Sequence, residues 1–309
     1  MDRIYDMVIV GGGPGGYTAA LYAARAGLKV AVVEKLSAGG QMAQSHQIDN
    51  YPGFEEGIDG FELGMRMQQQ AERFGGETVL AEVTQLHLEG DIKEIHSSEG
   101  ILRSRTAVIA TGANPRPLGL PEENSLAGRG VHYCAACDGM FYRGKTVIVV
   151  GGGNSAVADA LTLSRIAEKV ILVHRRETLR ATQIYHKPLM DAPNVEFMWN
   201  SAVERIVADG RVSAAEIRNL NSGEISKVPC DGVFISIGRV PASGLVADQL
   251  ELDGNGYIVA DESTQSSLPG VFIVGDVRTK ALRQVVTAVA DGAMAVHSAE
   301  AYLAKSRVN

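Results

Sequence analysis

The chain has 309 residues, a length that at roughly 150 residues per domain corresponds to two domains. Its net charge of −7 argues against nucleic acid or an anionic membrane as the main partner, and no apolar run reaches the ~18 residues of a membrane-spanning helix. Three cysteines are too few for a secreted disulfide framework, and the first residues lack the basic and apolar segments of a signal peptide, so we expect a cytoplasmic protein.

The first predicted element is a strand that leads through a glycine turn into a helix, over residues 8–16. In Gly11-x-Gly13-x-x-Gly16 the first glycine permits a tight turn, the second lets the backbone approach a pyrophosphate, and the third allows close packing of helix on strand. The helix that starts near Pro14 presents unpaired N–H groups to the phosphates. We therefore predict a dinucleotide site at this turn.

A second apolar run, residues 28–33, ends at Glu34, which gives this segment a strand–helix–strand order. A carboxylate at this position accepts hydrogen bonds from ribose hydroxyls. The segment therefore favours an adenosine ribose without a 2′-phosphate, as in FAD or NAD.

The same strand–turn–helix–strand pattern returns later in the chain, with Gly151 in the place of Gly11. Its turn and the end of its second strand contain Gly151, Gly153, Asn154, Ser155, Ala156, His174, Arg175, Arg176 and Arg180. The acidic residue is thus replaced by a histidine and arginines. Because guanidinium groups bind phosphate in a bidentate manner, this copy favours the 2′-phosphate of NADP(H) over NAD(H). The alternative is a solvated charge cluster at the end of a strand.

Both copies run on through short alternating strands to an apolar strand that ends in glycine, at Gly112 and at Gly238. The segment after Pro241 is short for a third domain, so we expect it to complete the first domain. The predicted fold class is therefore α/β, with two Rossmann-like dinucleotide-binding domains, the second inserted into the first. The predicted boundaries are 1–115 with 245–309 for the first domain and 116–244 for the second.

Cys134 and Cys137 form a Cys-x-x-Cys motif just before the second glycine turn. This spacing allows a reducible disulfide and favours the thiolate that attacks other disulfides. Zinc is the competing interpretation, but the chain has no second Cys-x-x-Cys, and His132 and Cys230 are the only simple additions to a ligand set. We predict a redox role for the pair, no metal site, and a structural role for Cys230.

Asp138 follows the cysteine pair and could hand a proton to an outgoing thiolate or take it back. A helix N-cap is the alternative role for this side chain. The other histidines show no ligand spacing and are interpreted as ordinary hydrogen-bonded residues. They are His46, His87, His96, His132, His186 and His297.

Taken together, these residues resemble the low-molecular-weight thioredoxin reductase family along the entire chain. The motifs that carry the resemblance are Gly11-x-Gly13-Pro14-x-Gly16, Gly39-Gly40-Gln41, Asn50-Tyr51-Pro52-Gly53, Ala110-Thr111-Gly112, Cys134-x-x-Cys137-Asp138-Gly139, Gly151-x-Gly153-Asn154-Ser155-Ala156, His174-Arg175-Arg176-x-x-x-Arg180 and Gly275-Asp276. The resemblance implies FAD in the discontinuous domain and NADPH in the inserted domain.

The resemblance also implies which residues bind each cofactor. The FAD set is Gly11, Gly13, Pro14, Gly16, Glu34, Gly39, Gly40, Gln41, Asn50, Val83, Ala110, Thr111, Gly112, Asp276, Arg283, Gln284 and Val285. The NADPH set is Gly151, Gly153, Asn154, Ser155, Ala156, His174, Arg175, Arg176 and Arg180. A long last helix, predicted over residues 282–303, would present its positive end to the flavin and stabilise the reduced form. Without the family, the same stretch is an amphipathic core helix.

The resemblance also implies the reaction: NADPH reduces the flavin, the flavin reduces the disulfide, and the dithiol reduces a thioredoxin-like protein. Cys137 would be the thiol next to the flavin, Cys134 the thiol that attacks the partner, and Asp138 the acid and base. In this family one domain rotates against the other, which predicts hinges near residues 113–118 and 239–244. A homodimer is implied as well.

Other functions remain open at this point. The partner could be a glutaredoxin-like or peroxidase-linked disulfide protein, which uses the same chemistry. From a different class, the chain could be a redox-sensing nucleotide-binding module without turnover, although a switch does not need two complete dinucleotide sites. A ferredoxin reductase is disfavoured because that chemistry does not require the cysteine pair.

Overall fold

The structure is a computed structural model that describes residues 3–45 and 47–306. His46, which we interpreted with the other histidines, lies outside the described residues. The chain forms two compact units: a first unit from the chain up to Asn114 and from Val240 onward, and a second unit from Pro115–Arg239. The chain thus returns to the first unit at Val240, before the predicted boundary between residues 244 and 245. The N–H of Ala242 already donates to the carbonyl of Gly112, at 2.9 Å, within the first unit.

The strands and helices follow one another in a simple order. Before the first crossing they are β1 (Ile4–Val10), α1 (Pro14–Arg25), β2 (Val30–Glu34), α2 (Gly60–Glu72), β3 (Glu77–Leu80), β4 (Val83–His87), β5 (Lys93–Ser97), β6 (Gly100–Ile109) and β7 (Ala113–Pro115). Then come β8 (Val131–His132), α3 (Ala135–Asp138), β9 (Thr146–Val150), α4 (Asn154–Ser164), β10 (Lys169–Val173), α5 (His186–Met190), β11 (Val195–Met198), β12 (Ser201–Asp209), β13 (Arg211–Asn219), β14 (Ile225–Pro229), β15 (Gly232–Ile235) and β16 (Arg239–Pro241). The chain ends with β17 (Val271–Ile273) and α6 (Val285–Ser306).

The first unit is built on one sheet in the order β3-β2-β1-β6-β5-β4, with β17 paired to β6. Strands β3, β2, β1, β6 and β17 are parallel, whereas β4 and β5 add an antiparallel edge. Both faces of β1 are covered, which explains its continuous apolar run, with Val8 and Ile9 fully buried. The carboxyl ends of β1, β2, β6 and β17 therefore share one edge, where α/β sheets bind ligands.

Helices α1 and α6 pack closely on one face of this sheet. A Cβ atom at Gly292 would lie 2.4 Å from the carbonyl oxygen of Gly15, so a side chain at that point of α6 would collide with α1. Helix α6 begins at Val285 rather than at residue 282, because the N–H of Gln284 donates to the side-chain hydroxyl of Thr287, at 3.1 Å, and the regular helix starts only after it.

The second unit repeats the arrangement with a parallel sheet in the order β11-β10-β9-β15-β8. A separate antiparallel sheet of β12, β13 and β14 covers one side of its core. The predicted α/β class with a repeated strand–turn–helix–strand pattern is confirmed. Strand β2 begins at Val30 and not at residue 28, because the N–H of Leu28 still bonds to the carbonyl of Ala23, at 3.0 Å, where α1 ends.

The short strands β7 and β16, at the two predicted hinges, pair with each other. On the second-unit side, the N–H of Arg116 donates to the carbonyl of Gly238 at 2.9 Å. Within the described residues, no helix combines the length and apolar character that crossing a bilayer requires.

Candidate active site

The first glycine turn shows why glycine is needed at some of its positions and what another leaves open. Gly11 has a φ of +108°, and a Cβ there would lie 2.5 Å from the carbonyl oxygen of Ala110. A Cβ at Gly16 would lie 2.0 Å from the carbonyl oxygen of Gly11. At Gly13, by contrast, a Cβ would meet nothing within 4 Å. The turn therefore has no room for a side chain at Gly11 or Gly16 but is open at Gly13. Helix α1 begins directly after it, at Pro14, without a side-chain cap.

Glu34, at the end of β2, holds the backbone of this turn. Its Oε2 accepts from the N–H of Gly12 at 2.6 Å, and its Oε1 accepts from the N–H of Leu36 at 2.9 Å. Each carboxylate oxygen keeps a second lone pair for another donor. Glu34 can therefore still accept hydrogen bonds from ribose hydroxyls, and this contact remains a prediction.

A loop of the FAD set lies directly beside the turn. The N–H of Gly39 donates to the carbonyl of Gly12 at 2.8 Å, and a Cβ at Gly40 would lie 3.4 Å from Cα of Gly13. Gln41 donates from its side-chain amide to the amide oxygen of Asn114 at 2.8 Å. The structure thus brings residues 39–41 to the open side of the first turn.

Two further residues of the FAD set, Thr111 and Val83, follow segments that contact the turn or Glu34. Thr111 donates its hydroxyl to the carbonyl of Ala242 at 2.7 Å, directly after the close contact of Ala110 with the turn. Val83 begins β4 and is half-buried against the core of the first unit. The neighbouring N–H of Ala81 donates to the carbonyl of Glu34 at 2.8 Å.

Two distant motifs meet before helix α6. The amide of Asn50 donates to the side-chain oxygen of Gln284 at 3.0 Å. The guanidinium of Arg283 donates to the carbonyl of Asp276 at 3.2 Å and lies 3.9 Å from the ring centre of Tyr257. With Val285 as its first residue, α6 therefore starts beside these predicted flavin contacts.

A buried ion cluster that the sequence did not reveal supports this region. The carboxylate of Asp291 accepts from Arg278 at 2.8 Å, from Lys280 at 2.7 Å and from the N–H of Gly275 at 2.8 Å. Burial alone would raise the pKa of Asp291, but the hydrogen bonds from both cations outweigh it and hold the pKa below its ordinary value. Asp291 thereby fixes the short turn that carries Asp276.

The second glycine turn repeats the first with one difference. Gly151 has a φ of +145°, and a Cβ there would lie 2.4 Å from the carbonyl oxygen of Ser236, whereas a Cβ at Gly153 would meet nothing within 4 Å. At Gly152 a Cβ would lie 2.3 Å from the imidazole of His174, so this ring covers the turn.

His174 is buried, and its Nε2 has no hydrogen-bond partner among the described residues. Burial, followed by the positive charge of Arg180, lowers the pKa of His174. The N–H of Arg180 donates to the carbonyl of Gly152 at 2.7 Å, which brings this arginine back to the turn. Arg175, Arg176 and Arg180 are exposed and make no ion pair within the part of the chain that the structure describes.

Helix α4 follows this turn. The side-chain oxygen of Asn154 accepts from the N–H of Thr182 at 2.8 Å, which links the helix start to the segment after the arginines. Ser155 is exposed and Ala156 is fully buried. The structure thus brings Asn154, His174 and the backbone of Arg180 to one helix start, whereas Arg175 and Arg176 follow His174 as exposed residues.

Cys134 and Cys137 form a disulfide, with their Cα atoms 5.3 Å apart. Cys134 is the N-cap of α3, and its Sγ accepts from the N–H of Cys137 at 3.2 Å. Asp138 precedes the 3-10 turn Gly139–Tyr142, but its side chain makes no capping hydrogen bond there and instead contacts His132, so the alternative N-cap role is not seen. Cys230 is a buried free thiol, and burial raises its pKa to about 12, which keeps it neutral.

Two carboxylates that no sequence motif indicated support the segment around the cysteine pair. Asp159 of α4 accepts from the N–H of Ala135 at 3.3 Å and from the hydroxyl of Ser236, and burial raises its pKa. The buried carboxylate of Glu123 accepts from the hydroxyl of Tyr133, next to Cys134, and from the N–H of Gly119 at 2.9 Å. No local sequence signal connects either carboxylate with the cysteine pair.

Asp138 is joined to an imidazole. Its Oδ2 lies 2.9 Å from Nδ1 of His132, and Nε2 of His132 lies 2.7 Å from the hydroxyl of Tyr142. The sequence interpretation of His132 as a hydrogen-bonded histidine fits these contacts but did not connect it with Asp138. Its place two residues before Cys134 was the available signal.

The chain is similar to known proteins in both sequence and fold. Residues 5–292 match the family described as pyridine nucleotide-disulphide oxidoreductase. A thioredoxin reductase of Peptoclostridium acidaminophilum is 42% identical over 98% of both chains, and one of Listeria monocytogenes is 43% identical over 98% of this chain and 95% of its own. The crystal structure of thioredoxin reductase from Streptococcus pyogenes aligns with a TM-score of 0.92, at 42% identity, over 99% of this chain and 100% of that chain.

The chain therefore belongs to the pyridine nucleotide-disulphide oxidoreductases, and within them to the thioredoxin reductases that it matches along almost its full length. The predicted family is thus confirmed, and the protein is an oxidoreductase of the pyridine nucleotide–disulfide class.

Proposed function

We propose that the protein transfers the electron pair of NADPH, through FAD and the Cys134–Cys137 disulfide, to the disulfide of a thioredoxin. In the balanced reaction, NADPH, a proton and oxidised thioredoxin give NADP⁺ and the thioredoxin dithiol. The observation that carries the proposal is the disulfide at the start of α3, with the hydrogen-bonded carboxylate of Asp138 beside it. The thioredoxin reductases that align with the whole chain support the choice of partner.

FAD is proposed for the first unit. The residues present fit a dinucleotide, because the turn is open at Gly13, α1 starts there without a side-chain cap, and Gly39 and Gly40 border the same space. The ligands would be the FAD set given above. When bound, FAD supplies the link between two-electron hydride chemistry and thiol chemistry.

NADPH is proposed for the second unit, where the opening at Gly153 corresponds to that at Gly13. The exposed guanidinium groups of Arg175, Arg176 and Arg180 would bind the 2′-phosphate. The orphaned Nε2 of His174 is a polar atom that a ligand at this turn would satisfy.

The dithiol then acts by thiol–disulfide exchange. The thiolate of Cys134 attacks one sulfur of the thioredoxin disulfide and forms a mixed disulfide, which leaves the other thioredoxin sulfur as a thiolate. The thiolate of Cys137 attacks Cys134 and releases the second thioredoxin thiolate, so the Cys134–Cys137 disulfide is restored. Asp138 supplies a proton to a departing thiolate.

The test is NADPH oxidation coupled to thioredoxin with the FAD-loaded protein. We expect NADPH to bleach the flavin absorption band under anaerobic conditions and thioredoxin to restore it. Cys134→Ser should keep the bleaching and abolish transfer to thioredoxin, because Cys137 remains but the attacking thiol is lost. A protein that cannot be reconstituted with FAD, or a serine variant that still turns over thioredoxin, would contradict the proposal.

The same assay separates the possible partners. A glutaredoxin-like protein and a peroxidase-linked disulfide protein should be reduced far more slowly than thioredoxin. We also propose a homodimer, which rests on the family resemblance, and analytical ultracentrifugation of the FAD-loaded protein measures it directly.

A further inference from the structure

We infer that His132 is a positioning residue for the reaction of the dithiol: it orients the carboxylate of Asp138 through its Nδ1–H, while the hydroxyl of Tyr142 fixes its tautomer. The inference rests on the proposed function, because it gives Asp138 a proton to move. It concerns a residue that none of the family motifs used above contains.

The two hydrogen bonds of His132 determine which groups donate and which accept. Nδ1 of His132 lies 2.9 Å from Oδ2 of Asp138, and Nε2 lies 2.7 Å from the hydroxyl of Tyr142. An ionised carboxylate only accepts hydrogen bonds, so Nδ1 must carry the proton. A neutral imidazole then has its lone pair on Nε2, which accepts from the tyrosine hydroxyl.

Tyr142 is suited to be that donor. It is 3% exposed, and burial raises its pKa to about 12, so its hydroxyl stays protonated at neutral pH. A Cβ at Gly232 would lie 2.4 Å from the Tyr142 ring, so the absence of a side chain on β15 makes room for the tyrosine. The charged or titratable groups whose interactions reach Tyr142 are Arg211, Asp138, Asp231, Cys230 and Lys145.

Packing holds the imidazole in this orientation. His132 is 7% exposed and lies opposite Phe234 in the register of β8 and β15. Its ring stacks on Phe234 with centres 5.1 Å apart and meets the Tyr142 ring edge-on at 5.2 Å. Rotation of the ring would break both hydrogen bonds inside a packed core.

The same neutral imidazole serves both states of Asp138. With the carboxylate ionised, the hydrogen bonds run from Tyr142 to His132 to Asp138. When Asp138 takes up a proton on Oδ1, its Oδ2 still accepts from Nδ1 of His132, so the same tautomer and the same heavy-atom positions hold the side chain in both states. Since the Asp138 side chain is 18% exposed, it is open to a partner thiolate while its other side is anchored.

The test compares leaving thiolates that differ in their need for a proton. The FAD-loaded protein, reduced with NADPH, is mixed in a stopped-flow instrument with an aromatic disulfide, dithiobis-nitrobenzoate, or with hydroxyethyl disulfide. The aromatic thiolate is a weak base and leaves without protonation, whereas the aliphatic thiolate needs it.

We expect His132→Ala to slow reoxidation by the aliphatic disulfide about tenfold and by the aromatic disulfide less than about twofold. His132→Asn, whose amide can place a donor near the position of Nδ1, should recover most of the loss. Tyr142→Phe should give an intermediate loss with the same selectivity. The control is His96→Ala, which removes a histidine 3.4 Å from the carboxylate of Glu94 in the first unit and should change neither rate.

The outcomes separate the inference from the proposed function. Equal losses with both disulfides, or no loss in His132→Ala and Tyr142→Phe, overturn the positioning role even if Asp138→Asn is selective for the aliphatic disulfide. If Asp138→Asn shows no selectivity, the acid role of Asp138 fails and the inference fails with it. Tyr142→Phe keeps the ring and the packing, so the test remains decisive if His132→Ala does not fold.

Discussion

The two glycine turns have the same backbone plan, but opposite charges complete them. In the first unit the carboxylate of Glu34 accepts from the N–H of Gly12, whereas in the second unit the imidazole of His174 covers Gly152 and exposed arginines follow. The turns also differ in tightness, since Gly16 has Ala156 as its counterpart. A shared phosphate turn thus leaves the choice of nucleotide to the residue at the end of the next strand.

The largest effect should come from filling the tighter turn. Gly16→Ala places a methyl group 2.0 Å from the carbonyl oxygen of Gly11, so we expect a loss of about 3 kcal/mol in the free energy of unfolding, or no folded protein. Urea denaturation measures it. The counterpart Ala156→Gly removes a methyl group where one is accommodated and should cost about 1 kcal/mol. A loss in Gly16→Ala no larger than that in Ala156→Gly would show that the first turn has room for a methyl group at this position.

The next effect concerns the charge at the second turn. Replacing both Arg175 and Arg176 by glutamine should raise the Michaelis constant for NADPH by roughly 10- to 100-fold and that for NADH less than about twofold, because only NADPH offers the 2′-phosphate. Arg165→Gln, an exposed arginine at the end of α4, is the matched control and should change neither constant. Equal losses for both nucleotides would refute the phosphate contact.

A smaller effect should show which turn holds which cofactor. Gly13→Ala and Gly153→Ala each add a methyl group where the folded chain has space, so thermal unfolding of the cofactor-free protein should change little. We expect Gly13→Ala to weaken FAD binding about tenfold and Gly153→Ala to raise the NADPH Michaelis constant about tenfold, since each methyl group would meet a pyrophosphate. If the two effects are exchanged, the cofactor assignment of the units is reversed.

The smallest effect is a pH dependence confined to the second turn. Because burial lowers the pKa of His174, the folded chain binds this proton less readily than the unfolded chain. This contribution to stability is complete above the unfolded pKa, near 6.5, and is lost as pH falls through the lower folded pKa. Urea titrations between about pH 5 and 7.5 should show a shallower decline for His174→Asn than for the unsubstituted chain. Parallel curves would mean that protonation of His174 is not coupled to folding.

Local patterns explain what the sequence could predict. The positions of Gly11, Gly13 and Gly16 are fixed by one strand–turn–helix connection, so a short motif suffices to predict it. Helix α6 was predicted to begin at residue 282 from its apolar spacing, but its true start depends on the Thr287 hydroxyl, which apolar spacing does not report.

Tertiary contacts explain what the sequence could not predict. His132, Asp138 and Tyr142 lie on a strand, a helix and a following turn, and only the folding of the second unit makes their side chains meet. The ion cluster of Asp291 likewise joins α6 to a turn that precedes it. Charged residues at such separations carry no periodic signal.

The burial of Cys230 has a practical consequence. Alkylation of the reduced, folded protein should modify only the sulfur atoms of Cys134 and Cys137, because a neutral and enclosed thiol reacts slowly. Labelling of Cys230 would then require the core of the second unit to open. The rate of Cys230 modification, followed by mass spectrometry, therefore measures how often the core of the second unit opens.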